Sequence, residues 1–411
     1  MSFQQDSAAR DSFAVDTFAR DVVVVGGCGH VGLPLAIALA SRGASVTCYD
    51  IDAAAVAAVR GGRLPFAERG AALPLRRAIA AGTLTASTDP AVVGTAEHVV
   101  VVILGEQDAD PAGLGPASIA GALGDCAAWL RDGQLLVLRS TVSPGATAGL
   151  EKLAADLGID ADVAFCPERI AEGQAMTELF ELPQIISSRS ARGLDRAREL
   201  FGRLTSELIE LSPEEAELAK LFSNAWRYIK FAAANEMFMI ASDRDLDFER
   251  IRAAVAHDYP RAADLPPAGF AAGPCLLKDT AGLAAASHRF TLGAAAIGAN
   301  EGLPGYVVAR LAARYELQEM TVGVLGMAFK AGSDDPRASL SYPLARLLAR
   351  RGARVLCTDP HVSQPGLVPL ADVLAAADLL VVATPHREYA GLAARQPVAD
   401  IWGVTGAGAL L

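Results

Sequence analysis

The chain reads as an α/β protein: two doubly wound, parallel-sheet units joined by a long central helix and a helical middle segment. Three observations predict this. Val22–Val25 is a β-branched run feeding a glycine-rich turn and then an apolar-periodic helix to about Ser41. Ser212-Pro213-Glu214-Glu215 is a capping box with proline at the first helical position, opening a helix that can run to near Ser242. Arg351-Gly352-Ala353-Arg354-Val355-Leu356-Cys357-Thr358-Asp359 repeats Arg42-Gly43-Ala44-Ser45-Val46-Thr47-Cys48-Tyr49-Asp50 at six of nine positions.

The glycine turn is Gly27-Cys28-Gly29-His30-Val31-Gly32, followed by a helix, a second strand over 44–49 and then Asp50. Strand, GxGxxG, helix, strand, acid is the order of a Rossmann dinucleotide site. The glycines allow a tight turn and close backbone approach, the helix N-terminus holds the pyrophosphate, and the acid accepts the ribose hydroxyls. Asp50 favours NAD over NADP, because a carboxylate repels a 2′-phosphate; Asp52 is close enough to share the role. The other reading is a glycine turn used only for packing. Strands at 98–104, 135–139 and 163–165 continue the sheet to about residue 205. The long helix would span ~45 Å at ~1.5 Å per residue, enough to connect two domains. Residues 246–310 look helical apart from a Pro/Gly-rich loop over 259–275. Strands at 321–325 and 379–383 flank the repeated segment. The repeat is either chance likeness of two Ala/Arg/Val-rich strands or a second nucleotide-binding-like unit, which implies two nucleotide-bearing ligands. The expected divisions are a loose tail over 1–20, a dinucleotide-binding domain over 21–205, a helical, dimer-forming domain over 206–315 and a second Rossmann-like domain over 316–411.

Composition narrows the function. A 52 % hydrophobic content dominated by Ala, Val and Leu suits parallel sheets covered on both faces. A net charge of −11 argues against a nucleic-acid or anionic-membrane surface. No apolar run reaches the ~18–20 residues of a membrane span. The polar opening stretch is no secretory signal, and the six cysteines form no CxxC pair, so a cytoplasmic protein with reduced thiols is expected. No His/Cys cluster has metal spacing, so no metal is expected.

One cysteine stands apart. Cys275 lies in Gly269-Phe270-Ala271-Ala272-Gly273-Pro274-Cys275-Leu276-Leu277-Lys278-Asp279. A nicotinamide enzyme that only interconverts alcohol and carbonyl needs no thiol; one that carries an alcohol to an acid does. An aldehyde gives up hydride only as a tetrahedral adduct, and a thiolate adduct leaves a thioester that water cleaves. An inert thiol is the other reading, and the one given to Cys28, Cys48, Cys126, Cys166 and Cys357. Lys220 and Asn224, four apart, share a helix face, to which Asn235 returns. That polar stripe serves either charge stabilisation beside Cys275 and Asp279 or a domain-interface hydrogen bond. Glu168, after a strand end, is either a base for water or an exposed loop acid. Arg139-Ser140-Thr141-Val142-Ser143-Pro144-Gly145 offers hydroxyls and amides to the same crevice.

Together these elements resemble the UDP-glucose/GDP-mannose dehydrogenase family, the nucleotide-sugar 6-dehydrogenases, over about residues 20–400. Further likeness lies in Leu64-Pro65-Phe66-Ala67-Glu68, Ser140–Gly145, Pro167-Glu168 with Glu172-Gly173, and the Cys275 segment. It extends to Gly326-Met327-Ala328-Phe329-Lys330, Asp334-Asp335-Pro336-Arg337-Ala338-Ser339, Asp359-Pro360-His361 and Thr384-Pro385-His386. The resemblance implies a homodimer through the central helix and a four-electron oxidation of the C6 hydroxyl, with NAD as cofactor. It implies Cys275 as nucleophile, Lys220 and Asn224 as oxyanion stabilisers, and Asp279, Glu168 and Thr141 as the residues that order water and move protons. The cofactor contacts it implies are Gly27, Gly29, His30, Val31, Gly32, Asp50, Thr141, Lys278 and Arg337. The substrate contacts are Glu168, Arg169, Glu172, Lys220, Asn224, Arg261, Phe270, Gly273, Phe329 and Lys330.

The chain departs from the family pattern at Ala272, where a glycine is usual, at Leu277, and at Gly105-Glu106-Gln107-Asp108, where a Gly-Thr-Pro-like turn is common. Arg169 gives Pro-Glu-Arg, which resembles the branch acting on UDP-N-acetylhexosamines. The competing functions are a two-electron β-hydroxyacid-type dehydrogenase, which has no need of Cys275, and a non-catalytic NAD-binding protein.

Overall fold

The computed structural model describes residues 18–102, 123–271, 273, 275–406, 408, 409 and 411. The opening tail up to residue 17, most of the 98–104 strand's tail and the Gly105–Asp108 departure lie outside the described residues.

The first unit is an eight-stranded sheet in the order β3-β2-β1-β4-β5-β6-β7-β8. Its strands are β1 (Arg20–Val25), β2 (Val46–Tyr49), β3 (Leu84–Ser87), β4 (Ala96–Val101), β5 (Leu135–Leu138), β6 (Asp162–Phe165), β7 (Gln184–Ser188) and β8 (Leu208–Leu211). All neighbours are parallel except β6 and β7. Valine-rich β1 is buried from Val22 onward and packs helices on both faces, as its unbroken apolar run requires. β2 starts at Val46 rather than at residue 44, because Ala44 and Ser45 still belong to the turn out of the helix Gly32–Ser41. β3, β7 and β8 are short and were not legible as separate strands.

The middle segment follows the expected helices: Pro213–Ser242, 30 residues long, then Phe248–Ala256, Leu276–Ala286 and Thr291–Arg314. The capping box forms as the sequence dictates. Ser212 Oγ accepts from Glu215 N at 3.4 Å and the Glu215 carboxylate accepts from Ser212 N at 2.9 Å. Among the described residues no helix is long and apolar enough to cross a membrane.

The second unit is a parallel four-stranded sheet in the order β10-β9-β11-β12, from β9 (Thr321–Leu325), β10 (Arg354–Thr358), β11 (Leu379–Val382) and β12 (Val398–Asp400). Its register shows that the repeated nonapeptide is structural. Val25 pairs with Tyr49 before Asp50, and Leu325 pairs with Thr358 before Asp359. Gly26 N donates to Tyr49 O and Gly326 N to Thr358 O, both at 2.9 Å. Asp50 accepts from Cys28 N at 3.0 Å, and Asp359 accepts from Ala328 N at 2.9 Å.

The two acids then diverge. Asp50 stays partly open, whereas the Asp359 and His386 side chains are fully enclosed, 3.1 Å apart. Asp359 also accepts from Met327 N, His361 N and Val362 N. Burial alone would raise its pKa, but these donors together hold the carboxyl well below the usual carboxylate range. The sign follows from linkage. A depressed folded value contributes stability that is complete above about pH 4 and is lost as pH falls through it. Asp359→Asn should therefore cost about 3–5 kcal/mol, since an amide turns a donor toward donors in a buried site. Urea denaturation of the two proteins at pH 7 and in acid checks this. A cost under about 1 kcal/mol would show that the network is dispensable.

Candidate functional site

The glycine loop is built for a ligand and not for packing alone. A Cβ at Gly27 would sit 2.5 Å from Val24 O and one at Gly32 2.4 Å from Gly26 O, so these two glycines serve the tight turn. Gly29 meets nothing closer than 3.7 Å. Its missing side chain leaves the approach to the backbone clear, as a pyrophosphate requires. No side chain caps the helix Gly32–Ser41, which starts after Val31. Asp50 stands at the end of β2, partly open to solvent, where the sequence reading puts the ribose. One oxygen of Asp52 caps the helix Ala53–Arg60 through Ala54 N and Ala55 N at 2.8 and 3.1 Å. The loop therefore fits NAD.

The candidate centre assembles from the long helix and the start of the helix Leu276–Ala286. Cys275 is the N-cap residue of that helix, where the aligned peptide dipoles favour a thiolate. Asp279, one turn on and buried, accepts from Asn224 Nδ2 at 2.5 Å. Burial is the largest influence on all three ionisable groups. It pulls the Lys220 ammonium below its ordinary range, against the charges of Asp279, Cys275 and Glu168. It raises the Cys275 thiol, with Asp279 adding to the rise and Lys220, Lys278 and Arg337 opposing it. It also raises Asp279, against Asn224, Lys220 and Lys278. Cys275 is exposed as a residue, and its thiol is nonetheless raised by the protein around it. Lys220, Asn224, Cys275, Asp279 and Glu168 are thus brought into one neighbourhood.

The loop before Cys275 is held on both sides. Asn235 Oδ1 accepts from Gly269 N at 2.9 Å and its Nδ2 donates to Gly269 O at 3.0 Å and to Asn300 Oδ1 at 2.9 Å. Asn235 is therefore a clamp on this loop and not a charge stabiliser. Gly269 and Gly273 both take positive φ, 149° and 109°. A Cβ at Gly269 would reach the Trp402 ring at 2.4 Å and one at Gly273 the Phe329 ring at 2.7 Å. Gly273 and Phe329 are thus brought together. Phe270 does not point its ring into the cleft: it is 3 % exposed and packs in the core shared with the second sheet.

Glu168 is no exposed loop acid. It is ion-paired with buried Arg139 and accepts from Arg169 N and Ile170 N at 2.7 and 2.9 Å. Thr141 is half-buried on the same strand-to-helix segment as Arg139. The Arg169 guanidinium donates to Pro183 O. Arg261 lies over the Tyr259 ring and lines an apolar groove with Trp226, Met237 and Ile240, apart from the residues around Cys275.

Across the cleft, His30 stacks on Phe66 at 4.0 Å and stands 3.3 Å from Glu172 Oε1. Glu172 O accepts from Lys330 Nζ at 2.6 Å, which ties the first unit to the second. Glu68 accepts from Gly173 N and Ala175 N, both at 3.0 Å, fixing the Glu172 segment. Arg337 is forked onto Asp335 and its charge reaches Cys275. His361, His386 and Glu388 bring ligand-type atoms within 4.8 Å of one another, a grouping that linear spacing hid. His386 has both ring nitrogens engaged, with Gly332 N and Asp359, so it has none for an ion.

Sequence reasoning missed two buried charges, Arg139 and Glu217. Arg139 carried one signal, a charge directly after the apolar strand β5, whereas Glu217 sits among other charged residues of its helix and nothing in the sequence sets it apart.

Three segments match the UDP-glucose/GDP-mannose dehydrogenase family: its NAD binding domain over residues 21–205, its central domain over 214–301 and its UDP binding domain over 323–406. The chain is 31 % identical over 396 residues to a UDP-N-acetyl-D-mannosamine dehydrogenase of Salmonella typhi, covering 88 % of this chain and 93 % of that one. It is 31 % identical over 406 residues to an NDP-N-acetyl-D-galactosaminuronic acid dehydrogenase of Ralstonia solanacearum, covering 92 % and 93 %. It superposes on a UDP-glucose dehydrogenase of the archaeon Pyrobaculum islandicum with a TM-score of 0.87 at 28 % identity, covering 95 % and 96 %. With the glycine loop, the long helix and the second sheet all matched in order, the chain belongs to the UDP-glucose/GDP-mannose dehydrogenase family, and its cofactor is NAD.

Proposed function

We propose that the protein oxidises the C6 hydroxyl of a UDP-linked N-acetylhexosamine to the uronic acid in the cytoplasm, a four-electron reaction carried by Cys275. The observation that carries this reading is a thiol at a helix N-terminus beside Lys220 and the Asn224–Asp279 pair. When bound, NAD supplies the hydride acceptor, one molecule for each two-electron step.

In the first step C6 loses hydride and its hydroxyl proton passes to water ordered by Asp279, with the Lys220 cation facing the developing alkoxide. The Cys275 thiolate then adds to the aldehyde carbon. The S–C bond forms and the carbonyl π pair moves to oxygen, where Lys220 and Asn224 stabilise it. Departure of the second hydride restores the C=O and leaves a thioester. Water attacks this carbon, the C–S bond breaks, sulfur leaves as thiolate and the product is a carboxylate with release of two protons. Glu168, fixed by Arg139, lends its negative charge to the Lys220 side of the cleft.

The N-acetylhexosamine assignment rests on the named relatives and on Pro167-Glu168-Arg169, although Arg169 itself contacts Pro183 O. A homodimer is part of the same proposal. Trp226, Met237 and Ile240 are 56, 48 and 57 % exposed along one face of the long helix. They line a 510 Å³ groove together with Leu246, Ile251 and Arg261. Such a strip calls for a cover, and a second copy would bring Arg261 toward its partner's cleft.

The test is the NADH yield per sugar with UDP-N-acetylmannosamine, UDP-N-acetylglucosamine, UDP-glucose and GDP-mannose. Two NADH and a uronic acid are expected from one of the first two. One NADH and a carbonyl product would overturn the four-electron reading in favour of a β-hydroxyacid-type dehydrogenase.

A further inference from the structure

We infer that Glu217 is a positioning residue that sets the distance between the cofactor loop and the reacting carbon. Glu217 lies in the second turn of the long helix and is 1 % exposed. A buried carboxylate is costly unless donors satisfy it, and here every recorded donor comes from another element. Gly145 N donates to Oε2 at 2.7 Å; Thr147 N and Thr147 Oγ1 donate to Oε1 at 2.8 and 2.6 Å.

These donors form the N-terminus of the helix Ala146–Asp156. That helix has no cap of its own, because its N-cap is Gly145 at φ 89° and offers no side chain. A Ser or Asp at the cap position is the ordinary local solution, worth about 1 kcal/mol. Supplying the carboxylate from the long helix does something a local cap cannot: it joins two elements. Anionic charge at this end also suits the helix dipole.

The consequence follows from what each element carries. Lys220 lies three residues beyond Glu217 and Asn224 seven beyond, along one side of a rigid helix. The segment between β5 and Gly145 carries Thr141, which the family resemblance assigns to the cofactor, and Arg139, which is paired with Glu168. Glu217 therefore pins the loop of Thr141 to the helix of Lys220. Hydride transfer needs donor and acceptor carbons within near-attack distance, and an error of ~1 Å costs on the order of 10²-fold.

This inference rests on the proposed reading of the Lys220–Cys275 cleft as the reacting centre. Glu217→Gln keeps the shape but replaces one accepting oxygen with a donor, leaving an amide of the 145–147 turn unpaired. In the full-length enzyme kcat should fall about 10- to 100-fold, with both KM values within about twofold. The deuterium isotope effect with sugar labelled at C6 should rise as hydride transfer becomes limiting, while the yield stays at two NADH. Glu217→Asp, which keeps the charge, should recover part of kcat. If Glu217→Gln does not fold, Thr147→Val removes one donor and should show the same rise in isotope effect at a smaller loss of kcat. An unchanged isotope effect, whether kcat is wild-type or falls only with the folded fraction, would overturn the positioning role. A wild-type yield of one NADH would instead overturn the four-electron reading and leave the isotope-effect comparison standing.

Discussion

Cys275→Ser should give a folded protein that binds both ligands and has lost steady-state turnover by at least about three orders of magnitude. The substitution is nearly isosteric, so folding and binding survive. The chemistry does not, because a serine hydroxyl ionises far above a thiol. The Cys275 thiol is itself raised by burial and by Asp279, and is brought back toward reactivity by Lys220, Lys278, Arg337 and the helix N-terminus. These aids act on a thiol, and a hydroxyl lies too far above it for them to make up the difference. With serine, an ester-like adduct forms poorly or hydrolyses slowly, and intact-protein mass would reveal any that accumulates. Retention of two NADH per sugar by the Ser variant at wild-type rate would remove Cys275 from the mechanism.

Lys220→Met should lower kcat by about 10²–10³-fold with a much smaller change in nucleotide-sugar KM. The ammonium matters most when negative charge is on the C6 oxygen, which happens in the alkoxide, the thiohemiacetal and the hydrolytic intermediate alike. Its folded pKa is lowered by burial, so the cation is lost at a lower pH than for an ordinary lysine. The wild-type kcat/KM should therefore climb with pH as the Cys275 thiol ionises and descend as Lys220 loses its proton. In the Met variant the descending limb should vanish. Loss of binding with an unchanged kcat would make Lys220 a clamp on the ground state and not a stabiliser of the oxyanion.

What the sequence disclosed was local chemistry. The glycine turn, Asp50, the capping box and the repeated nonapeptide each declare themselves within ten residues, through turn propensity or periodicity. The pairing of Asn224 with Asp279 was legible because one helical stripe and one motif could be set side by side. Asn235 shows where this fails. A helical wheel gives its direction, close to that of Asn224, but not its neighbour, and the neighbour is the backbone of Gly269. Arg169 fails in the same way, since its motif is local but its partner, Pro183 O, is tertiary. Arg139 and Glu217 were passed over because their meaning lies wholly in distant donors and acceptors. The antiparallel turn of β7 against β6 belongs with these, being set by packing and by no run of residues.

The fastening of the 269–273 loop decides how far this protein can be taken apart. Its amino-acid sequence divides readily into three stretches, which invites exchange of the last one between relatives. Yet the loop that presents the nucleophile is gripped by Asn235 from one stretch and lies flat against Trp402 and Phe329 from another. A chimera joined after the middle helices would inherit a stranger's aromatic rings against backbone that leaves no room for a methyl group. Such grafts should succeed only when both rings travel with the loop they support, so the unit of exchange is a contact surface and not a segment of chain.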